Sequence, residues 1–270
     1  MANQGKGGVE EDADRVSKDL HIDSFELILA REVERLLFPK SLPVCTWQCV
    51  GVKNRMAGVL GGDYFDFISL PDSSQITFIG DVTGHGLHAS LVMSLIYGFI
   101  HRAILGTFTL RSLAEQINTF LVHFAERSKT IDQYFSSTLF IGIINPKTLG
   151  MQYVNAGHVP ALVRRKESIF ELPPTAQPLG YFKGAAIPFR SFRLEKGDRL
   201  LLYTDGIIEA ANASGLLFGS ERLKRLLVES ESGHLEFLDN LFDSLRDFGI
   251  SDPPADDCTA LVQDIHGIAQ

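Results

Sequence analysis

At 270 residues, 45% of them hydrophobic, the chain is long enough for one large domain or two small ones, and its composition excludes global disorder. The net charge of −8, from 25 basic and 33 acidic residues, argues against a protein that grips a nucleic-acid backbone, but not against a small phosphorylated group held through a metal. Cysteine is sparse (Cys45, Cys49 and Cys258) and shows no metal-type spacing, which points to a reducing compartment and a soluble cytoplasmic protein.

Residues 1–20 are polar and acidic and read as a mobile tail without an apolar signal core. Asp23 and Glu26 then resemble a capping box, and Ile22, Phe25, Leu29, Val33 and Leu36 recur near every three and a half residues. This predicts a helical linker over 21–39, ended by Pro39 and Pro43. The helix reads equally well as one lying on the domain and as a short coiled-coil-like signalling or dimerisation helix. Residues 44–54 read as a strand that would put Cys45, Trp47 and Cys49 on one core-facing side.

Residues 62–80 read as a hairpin with arms near 64–70 and 75–80, joined by the turn Pro71-Asp72-Ser73-Ser74. Asp63 opens the first arm and Asp81 closes the second, so antiparallel pairing brings both to one end of the sheet. A helix over 87–105 follows, apolar on more than one face (Leu91, Val92, Leu95, Ile96, Phe99, Ile100, Ile104), as if buried on two sides, in the domain or in a dimer. Its apolar run, 91–100, is too short to span a bilayer. A second helix covers 110–124. Strands follow at 136–144, 151–155, 161–165 and 168–172, then a hairpin of 189–194 with 199–204 through 195–198. Two amphipathic helices, 221–229 and 235–248, precede a last strand at 258–265. Hairpins separated by helical pairs, with no linker between them, predict an α+β domain of mostly antiparallel sheet.

The strand over 199–204 ends at Asp205, and the last strand is preceded by Asp256 and Asp257. Four strand ends therefore carry Asp: Asp63, Asp81, Asp205, and Asp256 or Asp257. One such Asp is ordinary turn chemistry. Four, without a Cys/His pattern, favour an oxygen-lined site for two hard cations that share a bridging carboxylate.

Six ordered segments carry a resemblance. They are Gly61-Gly62-Asp63-Tyr64-Phe65-Asp66, Gly80-Asp81-Val82-Thr83-Gly84-His85-Gly86, Tyr153-Val154-Asn155-Ala156-Gly157-His158, Pro178-Leu179-Gly180, Tyr203-Thr204-Asp205-Gly206-Ile207-Ile208-Glu209 and Asp256-Asp257-Cys258-Thr259. Together, over about 40–266, they resemble the SpoIIE family, the bacterial branch of the PPM-type (type 2C-like) metal-dependent serine/threonine phosphatases. The resemblance implies an α-β-β-α sandwich, two mostly antiparallel sheets flanked by helices, and two Mn2+ or Mg2+ ions.

It also implies that Asp81 bridges the ions and acts in catalysis through a metal-bound water. The Val82 carbonyl and Asp63 would serve one ion, and Asp205 and Asp256 the other. Asp256 is preferred to Asp257 because it stands first in its tetrad. Thr83 occupies the place of a His in animal relatives, which leaves the general acid unassigned. His85 reads as a turn residue, His158 as a hydrogen-bonded structural His, and His88 as packing. Gly84 and Gly86 read as permitting the turn into the helix, and Arg55 is a candidate phosphate ligand. The implied substrate is a phosphorylated anti-sigma-factor antagonist or similar partner-switching regulator. The apolar faces of the helices allow a homodimer, and the apolar runs are too short for a membrane span. The alternatives are a catalytically silent switch module and a hydrolase of small phosphoesters.

Overall fold

Leu200, Leu201 and Leu202 are consecutive and all buried, which a strand achieves only when both of its faces are covered. The computed structural model, which describes residues 24–127 and 135–268, shows what covers them. One sheet has the order β1 (Gln48–Arg55), β10 (Cys258–Ile265), β9 (Arg199–Tyr203), β6 (Ala161–Arg165), β7 (Ser168–Leu172). The other runs β2 (Tyr64–Ser69), β3 (Gln75–Val82), β4 (Ser137–Ile144), β5 (Gly150–Ala156), β8 (Arg190–Arg193). All neighbours within each sheet are antiparallel.

Three apolar layers hold the sandwich together. Phe65, Phe67, Ile79, Phe140, Leu200, Leu202 and Leu261 meet between the sheets. Tyr64, Phe78, Leu139 and Ile141, from alternate positions, face α2 (Leu87–Ile104) and α3 (Leu110–Glu126). Leu201, Ala260 and Val262 face α5 (Ser220–Glu229) and α6 (His234–Asp247). The α-β-β-α architecture is therefore as expected. Local chemistry agrees with it. Thr109 and Ser112 close a reciprocal capping box at the start of α3, and Asp72 accepts the Ser74 N–H in the β2–β3 turn.

Two readings need correction. The segments 189–194 and 199–204 form no hairpin: β8 pairs with β5 in one sheet and β9 with β10 and β6 in the other. The intervening turn is held by distant strands, since Gly197 N–H donates to Ile265 O and Ile265 N–H to Asp198 O. The first strand begins at Gln48, so Cys45 and Trp47 precede it; Trp47 is buried and Cys45 half-buried.

In α2 only one apolar face is covered. Val92, Ile96 and Ile100 are buried, while Leu91 and Leu95 are exposed. The helix has 18 residues, longer than its apolar run, and by length and composition alone it could cross a bilayer; here its buried face packs in the core beside β3.

The first helix, α1 (Ser24–Leu37), has one face on the domain and one exposed apolar face, so both readings of it stay open. The stripe Phe25, Leu29, Val33 and Leu36 is exposed, and the helix meets the domain through Leu27, Ala30, Glu34 and Leu37. Phe38 then stacks on Phe65 with ring centroids 4.8 Å apart. The tail 1–20, Ile22 and Asp23 lie outside the described residues.

Candidate metal centre at the carboxylate end

Tyr64 pairs with Gly80, so Asp63 and Asp81 emerge side by side where β2 starts and β3 ends. Tyr203 pairs with Ala260, and the Thr204 N–H donates to Thr259 O at 3.0 Å. This brings Asp205, first residue of the one-turn helix α4 (Asp205–Ile208), beside Asp256 and Asp257. The two sheets are stitched at this point, because Asp63 Oδ2 accepts hydrogen bonds from Thr204 Oγ1 at 3.0 Å and from Thr259 Oγ1.

Gly62 brings the sheets' carboxylates closer still. A Cβ there would lie 2.9 Å from both Asp81 Oδ1 and the Val82 carbonyl oxygen, so these two oxygens converge on one spot that only glycine leaves open.

The carboxylates differ in burial. Asp63 is buried, Asp81 and Asp205 are half-buried, and Asp256 is exposed. Burial raises the Asp63 pKa well above the carboxylate range, and Asp81 and Asp257 add to it. Burial, then Asp205, Asp256 and Asp257, push Asp81 up to about 8. Asp205 is raised by burial, Glu209 and Asp256. No Lys or Arg nitrogen lies within 4.0 Å of any of the five among the described residues, although every other buried or half-buried Asp pairs with Arg or His.

Like charges gathered this way call for cations. The donor set, carboxylates plus one carbonyl, is that of Mg2+ or Mn2+. Among the described residues no group of three His, Cys, Asp or Glu side chains is by itself arranged to hold a metal ion.

Asp257 has another task. Its Oδ1 accepts the Ala57 N–H at 2.8 Å and its Oδ2 the Gly62 N–H at 2.9 Å. Its carboxylate also abuts Gly61, where a Cβ would collide with it. Asp256 uses only one oxygen, Oδ1, which accepts the Asp257 N–H.

The histidines separate by position. His158 is buried; Thr138 Oγ1 donates to its Nδ1 at 2.9 Å, and its Nε2–H donates to Tyr203 O at 3.0 Å. Burial lowers its pKa to about 4, so it is a neutral brace between β4 and β9 with both nitrogens engaged. His88 packs on Phe135, ring centroids 4.9 Å apart. His85 is exposed beside Gly84 and Gly86, whose φ values of 92° and 77° are those of the turn into α2. It borders a cavity of about 250 Å³ whose wall also includes Leu27, Val59, Leu60, Leu87 and Ala255. Thr83 is exposed and its hydroxyl lies 2.6 Å from that of Ser136. Arg55 is half-buried with its guanidinium 5.9 Å from the Phe242 ring.

The sequence reading missed Thr204, Thr259 and Asp257 as supports, although all three stand inside the quoted motifs. It also missed Asp66, which accepts from Tyr97 Oη at 2.6 Å and lies 2.9 Å from His101 Nε2, fastening α2 to β2.

Comparison with known proteins bears on this end of the molecule. The family model "Stage II sporulation protein E (SpoIIE)" matches residues 71–266. The phosphoserine phosphatase RsbU of Bacillus subtilis is 26% identical over 84% of this chain and 67% of its own length. Protein IcfG of Synechocystis is 27% identical over 81% of this chain, which spans only 38% of IcfG. Among solved structures, the RsbU and RsbW domains of Rv1364c from Mycobacterium tuberculosis superpose with a TM-score of 0.70 at 28% identity, over 85% of this chain and 64% of that one. The SiaA-PP2C domain of Pseudomonas aeruginosa shares the fold, with a TM-score of 0.74 at 18% identity over 93% and 97%.

Proposed function

Since the chain belongs to the SpoIIE family, we propose that its carboxylate end forms a metal-dependent phosphoserine/phosphothreonine protein phosphatase. One observation carries the reading: Asp63, Asp81, Asp205 and Asp256 come together from four strand ends with no Lys or Arg among the described residues to neutralise them. Asp81 and the Val82 carbonyl, backed by Asp63, would hold one Mn2+ or Mg2+, with Asp205, Asp256 and the shared Asp81 holding the second. When bound, such ions lower the pKa of water and offset phosphoryl charge.

The chain's own groups do the positioning. Thr204 and Thr259 fix Asp63, the Ser137 hydroxyl and Thr138 Oγ1 fix the Asp81 backbone, and Gly62 leaves the approach open. Asp256 is preferred to Asp257 as a ligand because the Asp257 oxygens are already taken by amides. His158 is not the general acid: both of its nitrogens are engaged, and it is neutral through the physiological range.

The name of RsbU supports a phosphoserine substrate. We assign that phosphoserine to a partner-switching regulator, as the motif resemblance implies. The division into a tail at 1–20, a linker helix at 21–39 and a phosphatase domain at 40–266 belongs to this proposal. So does a cytoplasmic location, which the three free cysteines support. So does a homodimer that covers the exposed Leu29, Val33 and Leu36 of α1, and equilibrium sedimentation reads it directly.

The test of the reaction is phosphate release from a phosphoserine peptide during a Mn2+ titration. Metal-dependent release that disappears in Asp81→Asn is the expected result. Release without added metal, or release that survives the substitution, would overturn the reading.

A further inference from the structure

Among the described side chains of α1 the one that is fully buried is an acid. Glu34 is 2% exposed, while its neighbours Val33 and Arg35 lie in solvent. A buried carboxylate ordinarily collects several donors or a cation. Glu34 has one: its Oε1 accepts the Gly61 N–H at 3.0 Å, and its buried Oε2 has no hydrogen-bond partner. No Lys or Arg lies within 4.0 Å of it among the described residues: Arg31 attracts it only from farther off, and Arg35 pairs with Glu32 on the exposed side. Burial raises its pKa, against the help of the Gly61 amide, and Asp257 raises it further. An apolar residue at this point of the helix would cover the loop without that penalty, so the acid is there for what it holds.

What it holds is the turn that leads to Asp63. Gly61 is fixed by Glu34, and the next amide, Gly62, is fixed by Asp257 Oδ2. The Gly62 carbonyl accepts the Val82 N–H at 3.3 Å. The Gly62 α-carbon faces the point where Asp81 Oδ1 and the Val82 carbonyl converge. A displacement of Gly61 therefore shifts Asp63 relative to Asp81 and Val82.

We propose that Glu34 is a positioning residue for the metal centre: by holding the Gly61–Gly62 turn it sets the spacing of Asp63 against Asp81 and Val82, and it makes metal affinity depend on α1 being docked. The proposal rests on the metal-centre reading above.

The test uses the full chain with Glu34→Ala and Glu34→Gln. Mn2+ affinity is read by calorimetry, amide exchange of the 57–63 loop is read without metal, and phosphate release is read at saturating Mn2+. Loss of a buried hydrogen bond to a charged acceptor predicts Mn2+ binding weaker by roughly tenfold or more in Glu34→Ala. The loop should exchange faster, and turnover at saturating metal should stay near wild type. Glu34→Gln, whose amide oxygen still accepts the Gly61 N–H, should remain close to wild type in all three. If the alanine variant does not fold, Glu34→Met fills the same volume without an acceptor and serves in its place.

A merely structural Glu34 would lower thermal stability equally with and without metal and leave Mn2+ affinity unchanged, which would overturn the proposal. A glutamine variant as weak as the alanine one would overturn its hydrogen-bond basis. Wild-type chain that binds Mn2+ but releases no phosphate would sink the phosphatase reading and leave this inference standing.

Discussion

Strands β9 and β10 carry acids at both ends, and the two ends handle them in opposite ways. At one end Arg199 forms a bidentate pair with Asp264, at 2.6 and 2.7 Å, while its face lies over Phe237. Nearby, Arg165 forks onto Asp198 at 2.8 and 2.7 Å. Both aspartates there have a guanidinium, although Arg165 also reaches Glu195. At the other end Asp205 and Asp256 face Asp63 and Asp81 with no Lys or Arg within 4.0 Å among the described residues, and the pKa values rise. The same sheet thus shows what an acid does when its role is structural and what it does when it is kept for something else. Balanced charge closes the far end of the sandwich; unbalanced charge makes the near end a place for cations.

Substitutions at the two ends should break this contrast in different observables. The largest effect is expected from Asp81→Asn, which should cut Mn2+-dependent phosphate release by more than about 10³-fold while the circular dichroism spectrum stays that of the wild type. At the far end, Arg199→Met leaves Asp264 without its partner and should destabilise by about 3–5 kcal/mol in denaturant unfolding, with Mn2+ affinity unchanged. Weaker Mn2+ binding in Arg199→Met would show that the ends are not independent.

The neighbouring pair at the near end gives a finer test. Asp257→Asn should cost about 1–3 kcal/mol of stability, because its carboxylate receives two loop amides. Asp256→Asn should leave thermal stability nearly unchanged and weaken Mn2+ binding instead. A reversal of these two results would exchange their roles.

The smallest effect is a pH slope. Asp81 holds its proton up to about pH 8 in the folded metal-free chain but loses it near 4 when unfolded. Between about pH 6.5 and 8, where His158 is neutral in both states, the folded chain binds more protons. Its stability therefore falls as pH rises. Melting scans should show that decline without metal and lose it at saturating Mn2+.

Much of this contrast was legible in the sequence, and the failures have physical causes. The arms 64–70 and 75–80 were readable because their turn chemistry and their alternation agree, and their pairing placed Asp63 by Asp81. The turn 195–198 has similar chemistry, yet its strands part into different sheets. Its bonds run to Ile265 and its acid to Arg165, and these contacts lie far away in sequence. Periodicity identified α1 as a helix but not the stripe that docks, because the helix carries two: the apolar stripe lies outward and the inner one centres on Glu34. Spacing alone could not divide the work of Asp256 and Asp257. Only the amides of Ala57 and Gly62, two hundred and 195 positions away, separate them.

The central claim is that the unpaired carboxylates are a binding site for divalent cations. Calorimetric titration of Mn2+ into metal-free chain at pH 7.5 tests it most directly. Saturable binding of two ions per chain is expected, with protons released as Asp81 gives up its own, and binding that collapses in Asp81→Asn. No saturable binding, or binding indifferent to Asp81, would contradict it.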